Sequence, residues 1–332
     1  MKNYVKKSEI DVVITWVDGS DREWLEEKKK FDSGINIDDS IERYRDVGTL
    51  KYVLRSIEKF APWVRKIFLV TCGHLPTWLN EKHEKIEVVK HSDFIPKEYL
   101  PTFSSHPIEW NLHRIEGLSE NFIYFNDDMI LTRKTKPEDF FKNNLPCDSF
   151  ALNMICPKDL FTNILFNNVT LINKHFIFKD TIIKNRKKIF SILYGKRMFL
   201  SIVLSLRNGF YGFYDHHGAI SFRKKYFSIL WEKEKDAIDK TCLNKFRSKD
   251  DISIWLIRYW QLCEGFFMKR DTKFARTKSL DYFINENKYL PKKQKCLCVN
   301  DIYMTENKFF KAKINFEKEM DKILGEKSAF EK

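Results

Sequence analysis

Four short apolar runs, each breaking off at polar or acidic residues, mark the first part of this 332-residue chain. They are Ile10–Val17, Lys66–Thr71, Lys85–Lys90 and Asn121–Phe125. Between them lie Arg22–Phe31, Asp46–Phe60, Pro76–Glu81 and a stretch opening near Pro107 and closing at Gly117, all of helical character. In Asp46–Phe60 the apolar residues at 47, 50, 53, 54 and 57 share one helical face, and Pro62 stops the helix. Strands alternating with helices at such short intervals predict an α/β fold, a mostly parallel sheet with flanking helices. Such sheets hold ligands outside the carboxyl ends of their strands. There this chain places Asp18 and Asp21, His74, Asp93, and finally Asn126-Asp127-Asp128.

Beyond about residue 150 the alternation fades. Lys179–Leu206, Lys224–Lys240 and Ser248–Glu264 predict helices, the last opening with Ser248 and Asp251 at capping-box spacing. The tail from about Tyr289, with a helical stretch at Phe316–Leu324, is expected to be a peripheral arm.

A hydrophobic content of 43% excludes a disordered chain. The net charge of +13, with clusters at Lys28–Lys30, Lys184–Lys188 and Lys292–Lys295, suits an anionic partner or a solvated basic surface. No zinc-finger spacing, RNA-binding aromatic signature or helix-turn-helix is present, so nucleic acid is not an expected partner. Seven cysteines without a regular framework, Cys296-x-Cys298 lacking a second pair, fit reduced thiols in a cytoplasmic protein. Met1–Ile10 is charged, without a signal core. The longest apolar stretch, Met198–Leu206, falls far short of the ~20 residues of a membrane span. The basic, apolar Lys179–Leu206 is either a core helix with basic ends or a peripheral contact with the inner face of the cell membrane.

The sharpest local signal is Asn126-Asp127-Asp128. Adjacent carboxylates at a strand end either hold a divalent cation against a diphosphate or merely turn the chain. Asp18-Gly19-Ser20-Asp21 either brings backbone N–H groups to an anion or caps the following helix. His106, Asn111, His113 and Arg114 sit around one helix, where they either contact sugar and phosphate or form a polar surface. In His216-His217 a histidine could take a proton from a hydroxyl, or serve structurally; Arg247, ahead of a helix, could hold a phosphate.

Three segments, DVVITWVDGSD (11–21), RYRDVGTLKYVLRSIEKFAPWVRKIFLVT (43–71) and SSHPIEWNLHRIEGLSENFIYFNDDM (104–129), resemble the first two conserved blocks of the stealth family. FNNVTLINKHF (166–176) resembles the third, and HHGAISFRKKYF (216–227) with KFRSKDDISIWL (245–256) the fourth. The family includes bacterial capsular polysaccharide phosphotransferases and the animal enzyme that places N-acetylglucosamine-1-phosphate on lysosomal glycoproteins. The resemblance implies a nucleotide-sugar-transferase core, GT-A or Rossmann-like, with a helical C-terminal portion. It implies one catalytic domain over 8–285: an α/β half (8–150) for nucleotide and metal, a mainly helical half (151–285) completing the site, and a C-terminal arm over 286–332.

The implied activity is transfer of a sugar-1-phosphate from UDP-hexose or UDP-N-acetylhexosamine to a lipid-linked or growing polysaccharide, releasing UMP. The alternative is glycosyl transfer on the same fold, releasing UDP. By the same resemblance, Asn126, Asp127 and Asp128 bind Mg2+ or Mn2+, and His217, Arg247 and Asp128 are catalytic. His216 and His217 remain alternatives for the base. Trp16, Asp18, Gly19, Ser20, Asp21, His106, Asn111, Arg114 and Arg186 are the implied substrate-binding residues.

Overall fold

The structure, a computed structural model, describes residues 9–31, 44–285 and 293–332. The charged N-terminal stretch, the expected domain boundaries at 8 and 286 and Lys292 lie outside the described residues.

The chain opens with β1 (Ile10–Thr15), α1 (Arg22–Phe31), α2 (Thr49–Phe60), β2 (Ile67–Thr71), β3 (Ile86–Lys90) and the single turn α3 (His91–Phe94). It continues through α4 (Ser105–Asn111), β4 (Asn121–Asn126), β5 (Met129–Leu131), β6 (Phe141–Lys142) and β7 (Leu145–Asp148). Three helices follow, α5 (Leu160–His175), α6 (Phe178–Ile189) and α7 (Lys196–Ser205). Next come β8 (Ile220–Arg223), α8 (Lys224–Lys233), α9 (Lys235–Leu243) and α10 (Trp255–Glu264). The last elements are β9 (Met268–Lys269), β10 (Ala275–Ser279), β11 (Cys296–Asn300) and α11 (Glu306–Leu324).

The main sheet runs β3-β2-β1-β4-β8; its first four strands are parallel and β8 lies antiparallel on the edge. Both faces are covered, which explains why β1 reads as a continuous apolar run. Val12 and Ile14 enter the core shared with α2 and α11, whereas Val13 enters the core shared with α4, α8 and α10. Asp11, buried in the same strand, is paired: Arg65 donates Nε–H at 2.8 Å and Nη2–H at 2.5 Å, and the Ser119 N–H donates at 2.8 Å. The polypeptide moves from β1 outward to β2 and β3, then returns to the other side of β1 as β4. That reversal opens a crevice at the carboxyl ends of β1 and β4, the standard ligand position of such sheets.

Several boundaries differ from the sequence reading. Pro76–Glu81 is a series of turns. Lys179–Leu206 is two helices, α6 and α7, broken at Gly195, whose φ of 54° suits glycine. Lys224–Lys240 is likewise divided into α8 and α9 around Glu234, which holds the side chains of Lys174 and His175. Ser248–Ile254 is not helical. There the Asp251 carboxylate accepts from Ser248 N (2.9 Å) and Asn244 Nδ2 (2.7 Å), organising a loop instead of capping α10.

The segment expected as a peripheral arm belongs to the body of the fold. β11 lies between β10 and β5 in a second sheet, and α11 buries Phe309, Phe316 and Met320 against α2 and its surroundings. Its strand and its amphipathic helix are too apolar on one side to stand in water.

Candidate active site

A cavity fills the crevice between β1 and β4. Its walls come from the end of β1 (Thr15, Trp16, Val17), the entry to α4 (Ser104, Ser105, Glu109), the β4–β5 turn (Asn126, Asp127, Asp128) and Arg247. The β4–β5 turn brings two carboxylates together because β4 leaves the main sheet there and β5 immediately joins the second. Burial, then the negative charge of Asp128, pushes the Asp127 carboxyl up to about 8. Asp128 accepts from the Cys298 thiol through Oδ2 (3.1 Å), while its buried Oδ1 has no hydrogen-bond partner among the described residues. Burial and the Asp128 charge keep the Cys298 thiol well above its usual range, hence protonated.

His217 stands beside this pair. Asp128, His217 and Cys298 each offer a ligand atom within 4.8 Å of the others. Asn300 Oδ1 lies 2.9 Å from the same sulfur and shares its single proton, leaving Asn300 Nδ2 to face His217 Nδ1 at 3.4 Å. His216 points elsewhere, into the interior. Its Nε2 accepts from Arg270 Nη2 (2.8 Å) and lies 3.5 Å from Asp148 Oδ1. Burial lowers its pKa to about 4, so it stays neutral.

Behind His216, the wholly buried Arg258 grips Asp148 with Nε (2.7 Å) and Nη2 (2.9 Å), and Asp215 with Nη1 (2.6 Å). Burial opposes the Asp148 charge, yet the Arg258 charge holds its carboxyl well below the usual carboxylate range. Replacing Arg258 with methionine strands two carboxylates and is expected to lower stability by about 3–5 kcal/mol. A melting curve should fall by on the order of 10 °C.

Arg247 enters from the loop before α10, with its Nη2 donating to Ser105 Oγ at 2.9 Å. His106 does not reach the cavity wall. Its Nδ1 meets Asp251 Oδ2 at 3.2 Å, tying α4 to the loop that carries Arg247. Trp16 lines the cavity, whereas Asp18, Gly19, Ser20 and Asp21 do not. Asp18 Oδ1 accepts from Ser20 N and Oγ, and Asp21 Oδ1 accepts from Trp24 N, capping α1. A Cβ on Gly19 would overlap the Tyr44 carbonyl, so Gly19→Ala is expected to destabilise by about 1–3 kcal/mol, readable in urea unfolding.

Besides His106 and Asp18 to Asp21, three more implied substrate residues are not brought to the cavity. Asn111 is buried and donates to Pro107 O (2.8 Å). Arg114 lies over the Trp231 ring at 5.2 Å, and Arg186 is exposed on α6. Asn111 and Arg114 sit on a helical stretch whose polar spacing was legible, but neither lines the crevice, and Arg186, implied by the resemblance alone, lies on α6 outside it.

Other wall residues carried no sequence signal. Trp24, Tyr44 and Phe103 form an aromatic side, with Trp24 and Tyr44 ring centres 5.1 Å apart. Glu109 accepts from the Tyr124 hydroxyl at 3.0 Å. Arg45 is paired with Asp301 through two 2.8 Å bonds and rests 3.7 Å over Phe309 of α11.

Residues 8–35 match Stealth protein CR1, conserved region 1, and residues 43–148 match Stealth protein CR2, conserved region 2. The capsular polysaccharide phosphotransferase WcwK of Streptococcus pneumoniae is 41% identical over 100% of both chains. The exopolysaccharide phosphotransferase cps2G of Lactiplantibacillus plantarum is 39% identical over 98% of this chain and 96% of its own. Among solved structures, the galactosyltransferase LgtC, in complex with donor and acceptor sugar analogues, covers 95% of each chain at 12% identity and a TM-score of 0.39. Sheet, crevice and full-length relatives together define a transferase of the phosphotransferase type. The chain belongs to the stealth family of polysaccharide phosphotransferases.

Proposed function

We propose that the enzyme transfers a sugar-1-phosphate from a UDP-sugar to a hydroxyl of a bacterial cell-surface polysaccharide. In the reaction an acceptor oxygen forms a bond to the β-phosphorus, the bond from that phosphorus to the bridging oxygen breaks, and UMP leaves. The described segments act as one catalytic domain, in which the helical half supplies His217 and Arg247 to the carboxylates of the α/β half.

The observation that carries this reading is that Asp127, Asp128 and Arg247, from distant stretches of the chain, line one switch-point crevice, with His217 beside Asp128. Asp127 and Asp128, with Asn126 beside them, fit Mg2+ or Mn2+. Asp128 Oδ1 is an orphaned buried acceptor, and the neighbouring Cys298 is held as a thiol, so the turn offers hard oxygen donors. Such a cation, when bound, neutralises diphosphate charge and stabilises the leaving phosphate.

Arg247, partly held by Ser105, presents fixed positive charge to the phosphoryl oxygens. His217 takes the proton of the acceptor hydroxyl as the oxygen attacks. Trp16, with the aromatic side at Trp24 and Tyr44, offers flat apolar surface for the nucleoside. The acceptor is a growing or lipid-linked polysaccharide, and the enzyme works in the cytoplasm at the inner membrane face.

Identifying the nucleotide released from a panel of UDP-sugars, with Mg2+ or Mn2+ present, tests the reading. UMP is expected. Release of UDP would mean attack at the anomeric carbon and would overturn phosphotransfer.

A further inference from the structure

No helix among the described residues is long and apolar enough to cross a membrane. The α6–α7 region nevertheless leaves a broad apolar face in water. On α7 the residues Phe199 (65% exposed), Val203 (56%) and Leu206 just beyond it (81%) are uncovered, as is Ile192 (85%) on the turn before it. Ile183 on α6 and Ile202 on α7 are uncovered as well. Isolated exposed apolar residues need no explanation, but a concentration of this kind along one helix pair marks an interaction surface.

The charges around it choose the partner. Between residues 177 and 207 stand eight Lys or Arg (179, 184, 186, 187, 188, 196, 197 and 207), of which Lys188 and Arg197 are turned inward, and one acidic residue, Asp180. Lys184, Lys187, Lys196 and Arg207 are exposed. A second copy of this chain docking face to face would set two such basic surfaces against one another. Apolar side chains rimmed by cations instead match the boundary of an anionic lipid leaflet, where the former enter the acyl region and the latter meet phosphate.

We infer that α6 and α7 form a docking surface for an anionic membrane. The opposite side of α7 supports this geometry, since it is fixed to the catalytic framework. Ser201 Oγ accepts from Leu152 N at 2.9 Å, and the Arg197 guanidinium lies 3.3 Å from the Tyr214 ring centre. Tyr214 stands three positions before His217. The surface itself stands on exposure and charge; its use, bringing the candidate site to a membrane-borne acceptor, rests on the function proposed above.

Flotation of the full chain with vesicles tests it. The protein should float with vesicles of equal parts phosphatidylcholine and phosphatidylglycerol, and at least tenfold less should float with phosphatidylcholine alone. Combining Phe199→Ser, Val203→Ser and Leu206→Ser should reduce binding at least tenfold, as should combining Lys184→Glu with Lys187→Glu. Both variants should keep wild-type nucleotide release with a water-soluble acceptor, which separates the surface from the chemistry. Failure of the wild type to float, equal flotation on neutral vesicles, or undiminished binding by both variants would overturn the inference. So would self-association that the serine substitutions abolish in a protein that ignores vesicles, which would assign the face to a second copy.

Discussion

Replacing His217 with alanine is expected to lower turnover by about 10²- to 10⁴-fold, the usual contribution of a positioned proton acceptor. Donor binding should stay close to wild type, because the groups assigned to the diphosphate, Asp127, Asp128 and Arg247, come from other segments. His217 is half-buried beside Asp128, whereas His216 is buried in the interior. Cys298 orients Asn300, and Asn300 faces Nδ1 at 3.4 Å, a long contact that holds the imidazole in place without claiming its lone pair strongly. His216 makes an internal control. It is buried between Arg270 and Asp148, so His216→Ala should act through stability. Steady-state kinetics separates the outcomes. A fall in kcat at constant KM for the donor fits the proton role. A loss of cation affinity would make His217 a metal ligand, which its nearness to Asp128 also permits. Turnover near wild type would reject both.

The α/β core and the position of its crevice were legible because buried parallel strands and their polar ends leave a local signal. β1 to β4 read directly, and so did the carboxylates at the end of β4. What escaped was long-range. Arg45 and Asp301 are 256 positions apart, and neither residue announces the other. β5 and β11 are short and gain their meaning only by pairing, β11 with both β10 and β5, so the tail looked peripheral. Arg186 was implied by the resemblance alone; a shared helical face was visible for Asn111 and Arg114, but which face meets the crevice depends on packing. The same limit applied to α7: its apolar residues were plain, and only the folded structure places them in water.

The paired aspartates should also link cation binding to pH. Asp127 is raised from an ordinary carboxylate value of 3.8 to about 8 by burial and the Asp128 charge. The cation-free folded state therefore prefers this group protonated. Its contribution to stability is fully present below the unfolded value near 4 and is lost as pH rises through 8. A divalent cation reverses the preference by requiring the carboxylate, so its binding releases a proton below pH 8. From pH 8 to pH 6 the apparent affinity for Mn2+ is expected to weaken by about 50-fold, the proton displaced per ion rising from about half at pH 8 to nearly one at pH 6. In melting experiments the stabilisation by Mn2+ should accordingly be larger at pH 8 than at pH 6. Asp127→Asn removes the titrating group: the cation-free protein should no longer lose stability on this account between pH 4 and 8, and turnover should fall with cation affinity. Titration calorimetry in buffers of different ionisation enthalpy counts the released proton. An affinity for Mn2+ that is flat across this pH range would place the cation away from Asp127.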